Sequence, residues 1–202
     1  GDSYGGLDIY YSMLTDSGWS EIKNLGPSVN TAADEITPYI ANDNKTLYFA
    51  SNGYPGYGSM DLFVTKTDDS LKDWSKPLNL GNTINTDGWE AYFTISSKND
   101  FAYFVSTKNS IGKEDIFKIA LPQSALPGKS ILISGKVKDI ITQKSLAAKI
   151  EFRDLETNKI VGIAYSDSTN GIYEISVPVG KDYAINAYTS GFYSLSKNIY
   201  ID

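Results

Sequence analysis

Trp74-Ser75-Lys76-Pro77-Leu78-Asn79-Leu80-Gly81-Asn82-Thr83-Ile84-Asn85-Thr86 repeats an earlier stretch of the same chain, residues 19–31. Trp19-Ser20 answers to Trp74-Ser75, Asn24-Leu25-Gly26 to Asn79-Leu80-Gly81, and Val29-Asn30-Thr31 to Ile84-Asn85-Thr86. The match continues through Glu35 and Glu90 to Tyr48-Phe49 and Tyr103-Phe104, and every pair is 55 residues apart. A further element, Asp8-Ile9-Tyr10, recurs as Asp61-Leu62-Phe63 and Asp115-Ile116-Phe117 at offsets of 53 and then 54, which one-residue changes in loops explain. A period of this order indicates a propeller or solenoid, each unit being a supersecondary structure that buries its faces only against its neighbours.

Inside one unit, Thr37 to Ala41, Thr46 to Ser51, Asp61 to Thr67 and Trp74 to Leu80 are short runs rich in β-branched or aromatic residues, as strands are. Asn42-Asp43-Asn44 and Asp68-Asp69-Ser70 suit turns, and Asn52-Gly53-Tyr54-Pro55-Gly56 mixes Gly with Pro. Four strands describe a propeller blade, whereas a solenoid of stacked turns calls for shorter repeats. Residues 1–121 are therefore expected to hold about two to two and a half four-stranded blades, and further blades are expected outside this sequence because closure takes about four.

In such a blade the connection from second to third strand emerges on the same face as the connection to the next blade. Those connections are Asn52 to Met60, Gly26 to Glu35 and Gly81 to Glu90. Loops on a rigid scaffold are where binding residues gather, so this face is the expected partner surface. Its candidate residues are Glu35, Tyr54, Tyr57, Trp89 and Glu90. The two glutamates either meet cations and basic peptides or accept hydrogen bonds from neighbouring loop amides. The aromatic residues would stack on sugars or peptide side chains. Trp19 and Trp74, at a fixed place on an outer strand, are expected to pack the blades.

The 202-residue chain has no cysteine and no histidine, which removes disulfides, thiolate chemistry, the usual zinc sites and imidazole bases together. No catalytic, cofactor-binding or metal-binding residue is assigned. The cluster Asp68, Asp69 and Asp73 lacks the spaced oxygen ligands of an EF-type loop and reads as a solvated turn, as does Asp167-Ser168-Thr169-Asn170-Gly171. Net charge is −6, which offers nothing to a nucleic-acid backbone. The asymmetry lies in residues 1–121, with 16 acidic against 9 basic residues. No apolar run approaches the ~20 residues that span a bilayer.

The repeat stops after Leu121, and residues 122–130, with two prolines and a glycine, read as a linker. Residues 131–202 then carry alternating strands at Ile131 to Val137, Ala148 to Asp154, Ile160 to Ser166, Gly171 to Val177, Asp182 to Ala187 and Leu195 to Ile201. This spacing suggests a small β-sandwich, making the whole chain all-β.

The first region resembles the TolB-type and WD-like propeller repeats of OmpA-family envelope proteins of the Bacteroidetes type. The resemblance rests on Gly5-Gly6-Leu7-Asp8-Ile9-Tyr10, Trp19, Asn24-Leu25-Gly26, Val29-Asn30-Thr31, Glu35 and Leu47 to Gly56; after Ser106, Thr107-Lys108-Asn109 departs from Asn52-Gly53-Tyr54. The second region resembles the carboxypeptidase regulatory-like, transthyretin-like domain through Ile133-Ser134-Gly135-Lys136-Val137, Gly171-Ile172-Tyr173, Val177 to Tyr183 and Gly191-Phe192. The resemblance implies a non-catalytic interaction or scaffolding piece of a periplasmic, outer-membrane-associated protein. It also implies envelope protein partners and a peptidoglycan link through a domain outside this sequence, by analogy with the PorE group of type IX secretion. A carbohydrate- or oligopeptide-binding module is the alternative.

Overall fold

A computed structural model describes residues 3–68, 72–96 and 98–201. Among them the only regular element that is not a β-strand is a 3-10 turn at Gln123–Ala125, so the fold is all-β. The chain divides into two compact units, Gly1–Met13 with Trp19–Gly128, and Leu14–Gly18 with Lys129–Asp202.

The strands open with β1 (Tyr10–Tyr11), β2 (Leu14–Thr15), β3 (Gly18–Trp19) and β4 (Lys23–Asn24), of which β1 pairs with β4 and β2 with β3. In the first unit, β5 (Glu35–Ile40), β6 (Thr46–Ser51), β7 (Asp61–Lys66) and β8 (Leu78–Asn79) then form an antiparallel sheet in chain order. After it, β9 (Glu90–Ile95), β10 (Phe101–Ser106) and β11 (Asp115–Ala120) form a three-stranded sheet with β10 in the middle.

All six residues of β6 are buried, because successive side chains point to opposite faces and both faces are covered. Tyr48 and Ala50 enter a core shared with Leu62, Phe93 and Phe104, where the Tyr48 and Phe93 rings stack at 4.7 Å. Leu47 and Phe49 enter a second core with Ile9, Leu25, Val29 and Phe63. Burying such a side chain contributes about 1.5–3 kcal/mol, so these interleaved layers hold the repeats side by side.

The repeat extends to backbone irregularities. Thr37 and Tyr92, 55 residues apart, both take positive φ, at 48° and 56°. Each sits where the first strand of its sheet shifts register against the second, which is a β-bulge. Asn44 and Asn99 form the next turns, both at φ 57°, a conformation that asparagine tolerates better than most residues. The run Trp74 to Leu80, expected as one strand, pairs as a ladder only at Leu78–Asn79, with a separate bridge from Trp74 to Thr67. Pro77 has no amide to donate and interrupts it. Ser75 fills in, donating its amide to the Lys66 carbonyl and accepting the Lys66 amide on its hydroxyl.

Trp19 corrects the packing expectation. Trp74 is partly buried against the cluster containing Phe49 and Phe63, whereas Trp19 is 73% exposed. No strand equivalent to β6 precedes β1 among the described residues, so the indole of Trp19 has no such surface to lie on. Residues 122–128, read from the sequence as part of a linker, lie within the first unit. Ala125 is buried and its carbonyl accepts the Tyr48 hydroxyl; Gly128 donates its amide to Asp43 Oδ2 at 2.6 Å.

In the second unit, β12 (Ser130–Lys136) pairs with a strand at Ile172–Pro178, which is β15 in chain order. Between and after them, β13 (Lys149–Asp154), β14 (Ile160–Tyr165), β16 (Lys181–Tyr188) and β17 (Leu195–Ile201) form a sheet ordered β14-β13-β16-β17. Ile150, Phe152, Ala164, Val177 and Tyr183 form its core. Asp154, 1% exposed, accepts Lys181 Nζ at 2.7 Å on one oxygen and the amides of Glu156 and Thr157 on the other.

Burial alone would raise the Asp154 pKa, but Lys181 and the turn amides outweigh it and hold the carboxyl below its ordinary range. A depressed carboxyl stabilises the fold above its unfolded pKa, and that stability is lost as pH falls through the folded value. Acid titration of the second unit, followed by circular dichroism, should therefore show a stability loss below the ordinary carboxylate range. Lys181→Met should cost about 2 kcal/mol at neutral pH and flatten that acid dependence.

Candidate functional site

Asn30 and Asn85 build the loop end of the first unit. Asn30 accepts the Ile9 amide on Oδ1 at 2.9 Å and donates Nδ2 to the Ile9 carbonyl at 3.0 Å and to Asn24 Oδ1 at 2.7 Å. Asn85 does the same to Leu62, at 2.8 Å in both directions, and to Asn79 Oδ1 at 2.8 Å. Each asparagine thus acts as one rung of a strand beside its neighbour's backbone. Gly26 and Gly81, both at φ +84°, make the intervening turn in a conformation that L side chains rarely adopt. Their amides bond Asn24 Oδ1 and Asn79 Oδ1.

The glutamates complete this framework. Glu35 accepts the Thr31 amide, the Thr31 hydroxyl and the Ser51 hydroxyl, each at 2.7 Å. Glu90 accepts the corresponding groups of Thr86 and Ser106 at 2.9, 2.6 and 2.7 Å. Both side chains are buried, so neither meets a partner at the surface; of the two readings open from the sequence, the geometry matches internal bonding.

Tyr54 is also drawn inward. Its hydroxyl donates to the Val29 carbonyl at 2.9 Å, and its ring packs against Phe49 and Phe63. Burial, and then the charge of Glu35, push its pKa up to about 12 from 10.0. The stability due to the neutral phenol is complete below pH 10 and lost as pH rises through about 12. Tyr54→Phe should lower stability by about 1 kcal/mol in urea unfolding and remove this tyrosine from the alkaline titration of tyrosinate absorbance.

The loops that carry Tyr57 and Trp89 come together. Ser59 donates its amide to the Gly88 carbonyl at 2.8 Å, and Met60 bridges Trp89 in parallel. The approach is close enough that a Cβ on Gly58 would lie 2.2 Å from the Gly88 oxygen. Tyr57 is 54% exposed, while Trp89 is partly buried and meets Tyr92 edge-on at 6.0 Å. Tyr92 itself is 58% exposed and was not singled out by the sequence, where nothing marks the bulge that turns it outward.

The departure at Thr107 keeps its structural task. Asn52 Oδ1 accepts the Asp34 amide at 2.9 Å, and Thr107 Oγ1 accepts the Trp89 amide at 3.0 Å. Of the acidic turn, Asp69 and Ser70 lie outside the described residues. Asp167 accepts the amides of Thr169 and Asn170, as a turn residue does. A shallow cleft of about 420 Å³ in the second unit is lined by Asp154, Glu156, Lys181 and Asp182, but its central pair is already joined.

The arrangement therefore leaves Tyr57 on a loop and Tyr92 on β9 exposed, with the neighbouring connections tied down by buried asparagines and glutamates. No protein-family model, curated protein or solved structure matches the chain.

Proposed function

We propose that the first unit is part of a β-propeller and the second a transthyretin-like sandwich, together forming a non-catalytic interaction module of a periplasmic, outer-membrane-associated protein. One observation carries this reading: the recurring carboxylates are consumed inside the scaffold, while Tyr57 and Tyr92 are left at its surface, Tyr92 edge-on to Trp89. Exposed aromatic residues held on a rigid scaffold suit contact with a partner better than chemistry on a substrate. The envelope placement rests on the sequence resemblance.

Photo-crosslinkable residues at positions 57 and 92, introduced into the native envelope, test the reading. Discrete protein adducts in the outer-membrane fraction, lost with Trp89→Ala, support it; adducts equal to those from a buried control position such as 49 count against it. The same exposed aromatic residues favour a second reading, stacking on a sugar or short peptide. A glycan and peptide array with saturable binding that Tyr57→Ala and Tyr92→Ala both weaken would favour that alternative.

A further inference from the structure

The strand registers of the second unit bring three connections to one end of it. Lys136, the last residue of β12, pairs with Ile172, the first of β15; Lys149, the first of β13, pairs with both Tyr165 and Tyr188; and Ala187 pairs with Leu195. Residues 137–148, 166–171 and 189–194 therefore emerge together. They are also tied to one another. Val137 donates its amide to the Gly171 carbonyl at 2.9 Å, Ala148 donates its amide to Ser166 Oγ at 2.9 Å, and Thr189 Oγ1 donates to the Ala147 carbonyl at 2.7 Å.

Two of these connections end in apolar tips. Ile140 and Ile141 are 86% and 88% exposed, Phe192 is 48% exposed and Tyr193 is fully so. Apolar side chains this far out of contact contribute no burial to the sandwich. The first tip is nonetheless ordered, and its polar groups are satisfied from within. Asp139 donates its amide to the Lys144 carbonyl and accepts the Gln143 amide on its own carbonyl, both at 2.9 Å. Its carboxylate accepts the Ile141 amide at 2.9 Å and the Thr142 hydroxyl at 2.6 Å, and Gln143 Nε2 donates to the Ile140 carbonyl at 2.9 Å. A turn closed in this way gives up few hydrogen bonds on leaving water, and unpaired polar groups are the main cost of entering an apolar medium.

Charge follows the same division. Lys136, Lys138 and Lys144 stand exposed at the base of the Ile140-Ile141 tip, and residues 189–194 hold no aspartate or glutamate. The two aspartates of this end, Asp139 and Asp167, direct their carboxylates into their own turns. At the opposite end, Asp154, Glu156 and Asp182 outnumber Lys159 and Lys181.

We propose that this end of the second unit is a membrane-contact site: its isoleucine and aromatic tips enter the surface of a bilayer containing anionic phospholipid, and its lysines meet the phosphates. Apolar side chains with a tyrosine beside them and lysines behind them match the layering between lipid and water. A lipid surface also fits the area. Four projecting side chains supply a few hundred Å², below the roughly 800 Å² per partner of a stable protein interface. The inference stands on the second unit alone, and Tyr57 and Tyr92 have no part in it.

The test is sedimentation of the full chain with vesicles of equal parts phosphatidylcholine and phosphatidylglycerol. Binding is expected, weakened at least about tenfold by I140S/I141S and by F192S/Y193S, and about tenfold by K138E/K144E. Thermal unfolding checks that these exposed substitutions leave the fold intact. A second measurement needs none of them. Because the chain has no cysteine, Ile141→Cys or Tyr193→Cys carries an environment-sensitive fluorophore at one place only. Its emission should shift to the blue with vesicles and be quenched by nitroxide-bearing lipid, whereas a label at Leu155→Cys, on the opposite end, should not respond. Failure to bind these vesicles, equal binding of the serine variants, or an equal response at position 155 would overturn the proposal. So would self-association without lipid that the serine variants abolish, since a second copy would then be what the tips contact.

Discussion

Glu90→Ala is expected to lower the unfolding free energy of the first unit by about 3–5 kcal/mol, the range for leaving buried polar partners of a charged group unsatisfied. The Thr86 amide and the hydroxyls of Thr86 and Ser106 all converge on this carboxylate. These hydroxyls also receive the Gly88 and Lys108 amides, so each one's proton is committed to the carboxylate while a lone pair serves the loop. Glu90→Gln should be milder, at about 1–2 kcal/mol, because its oxygen can keep one side of the network while a hydroxyl accepts from the new amide group. Urea unfolding of both variants checks the ranking. Equal losses would mean that the side chain serves as volume rather than as a hub of acceptors.

The second large effect is at Asn85. Replacement by alanine orphans the amide of Leu62, a residue with 0% exposure, leaves its carbonyl with the Leu80 amide alone, and removes one of the two donors to Asn79 Oδ1. A loss of about 2–4 kcal/mol is expected, a large part of the ~5–15 kcal/mol that stabilises a typical domain. Asn85→Asp should be worse than alanine. A carboxylate would set oxygen against the Leu62 carbonyl and Asn79 Oδ1, where the amide now donates. Thermal unfolding of N85A, N85D and the matching Asn30 variants gives the comparison. An aspartate better tolerated than alanine would show that the donor side of the pair contributes little.

Much of this architecture is legible in the sequence. Thr46–Ser51 can be bounded to the residue, since Asn42-Asp43-Asn44 and Asn52-Gly53 flank a short run centred on Leu47-Tyr48-Phe49. The 55-residue period also locates the paired asparagines and glutamates, although it leaves their direction open. A further signal accompanies them: each glutamate recurs with its own donors, Thr31 and Ser51 or Thr86 and Ser106, at unchanged spacing. Side chains that repeat as a bonded set point inward.

Other features depend on what lies next to a strand. Tyr48 and Tyr103 occupy the same place in the repeat, yet one is buried and the other partly exposed, because only the first has a sheet beyond it. Trp19 and Trp74 differ for the same kind of reason. Local residues specify a strand and its faces, but burial of a face is settled by a neighbour that the strand's own sequence does not describe.

The interleaved cores of β6 carry a consequence for cooperativity. The sheet of β5 to β8 draws stability from the strands before it and from the sheet after it, as in a quasi-one-dimensional stack governed by nearest-neighbour coupling. Melting should therefore proceed from the flanks, with amides of β10 and β11 exchanging by partial opening while those of β6 open only with the whole unit.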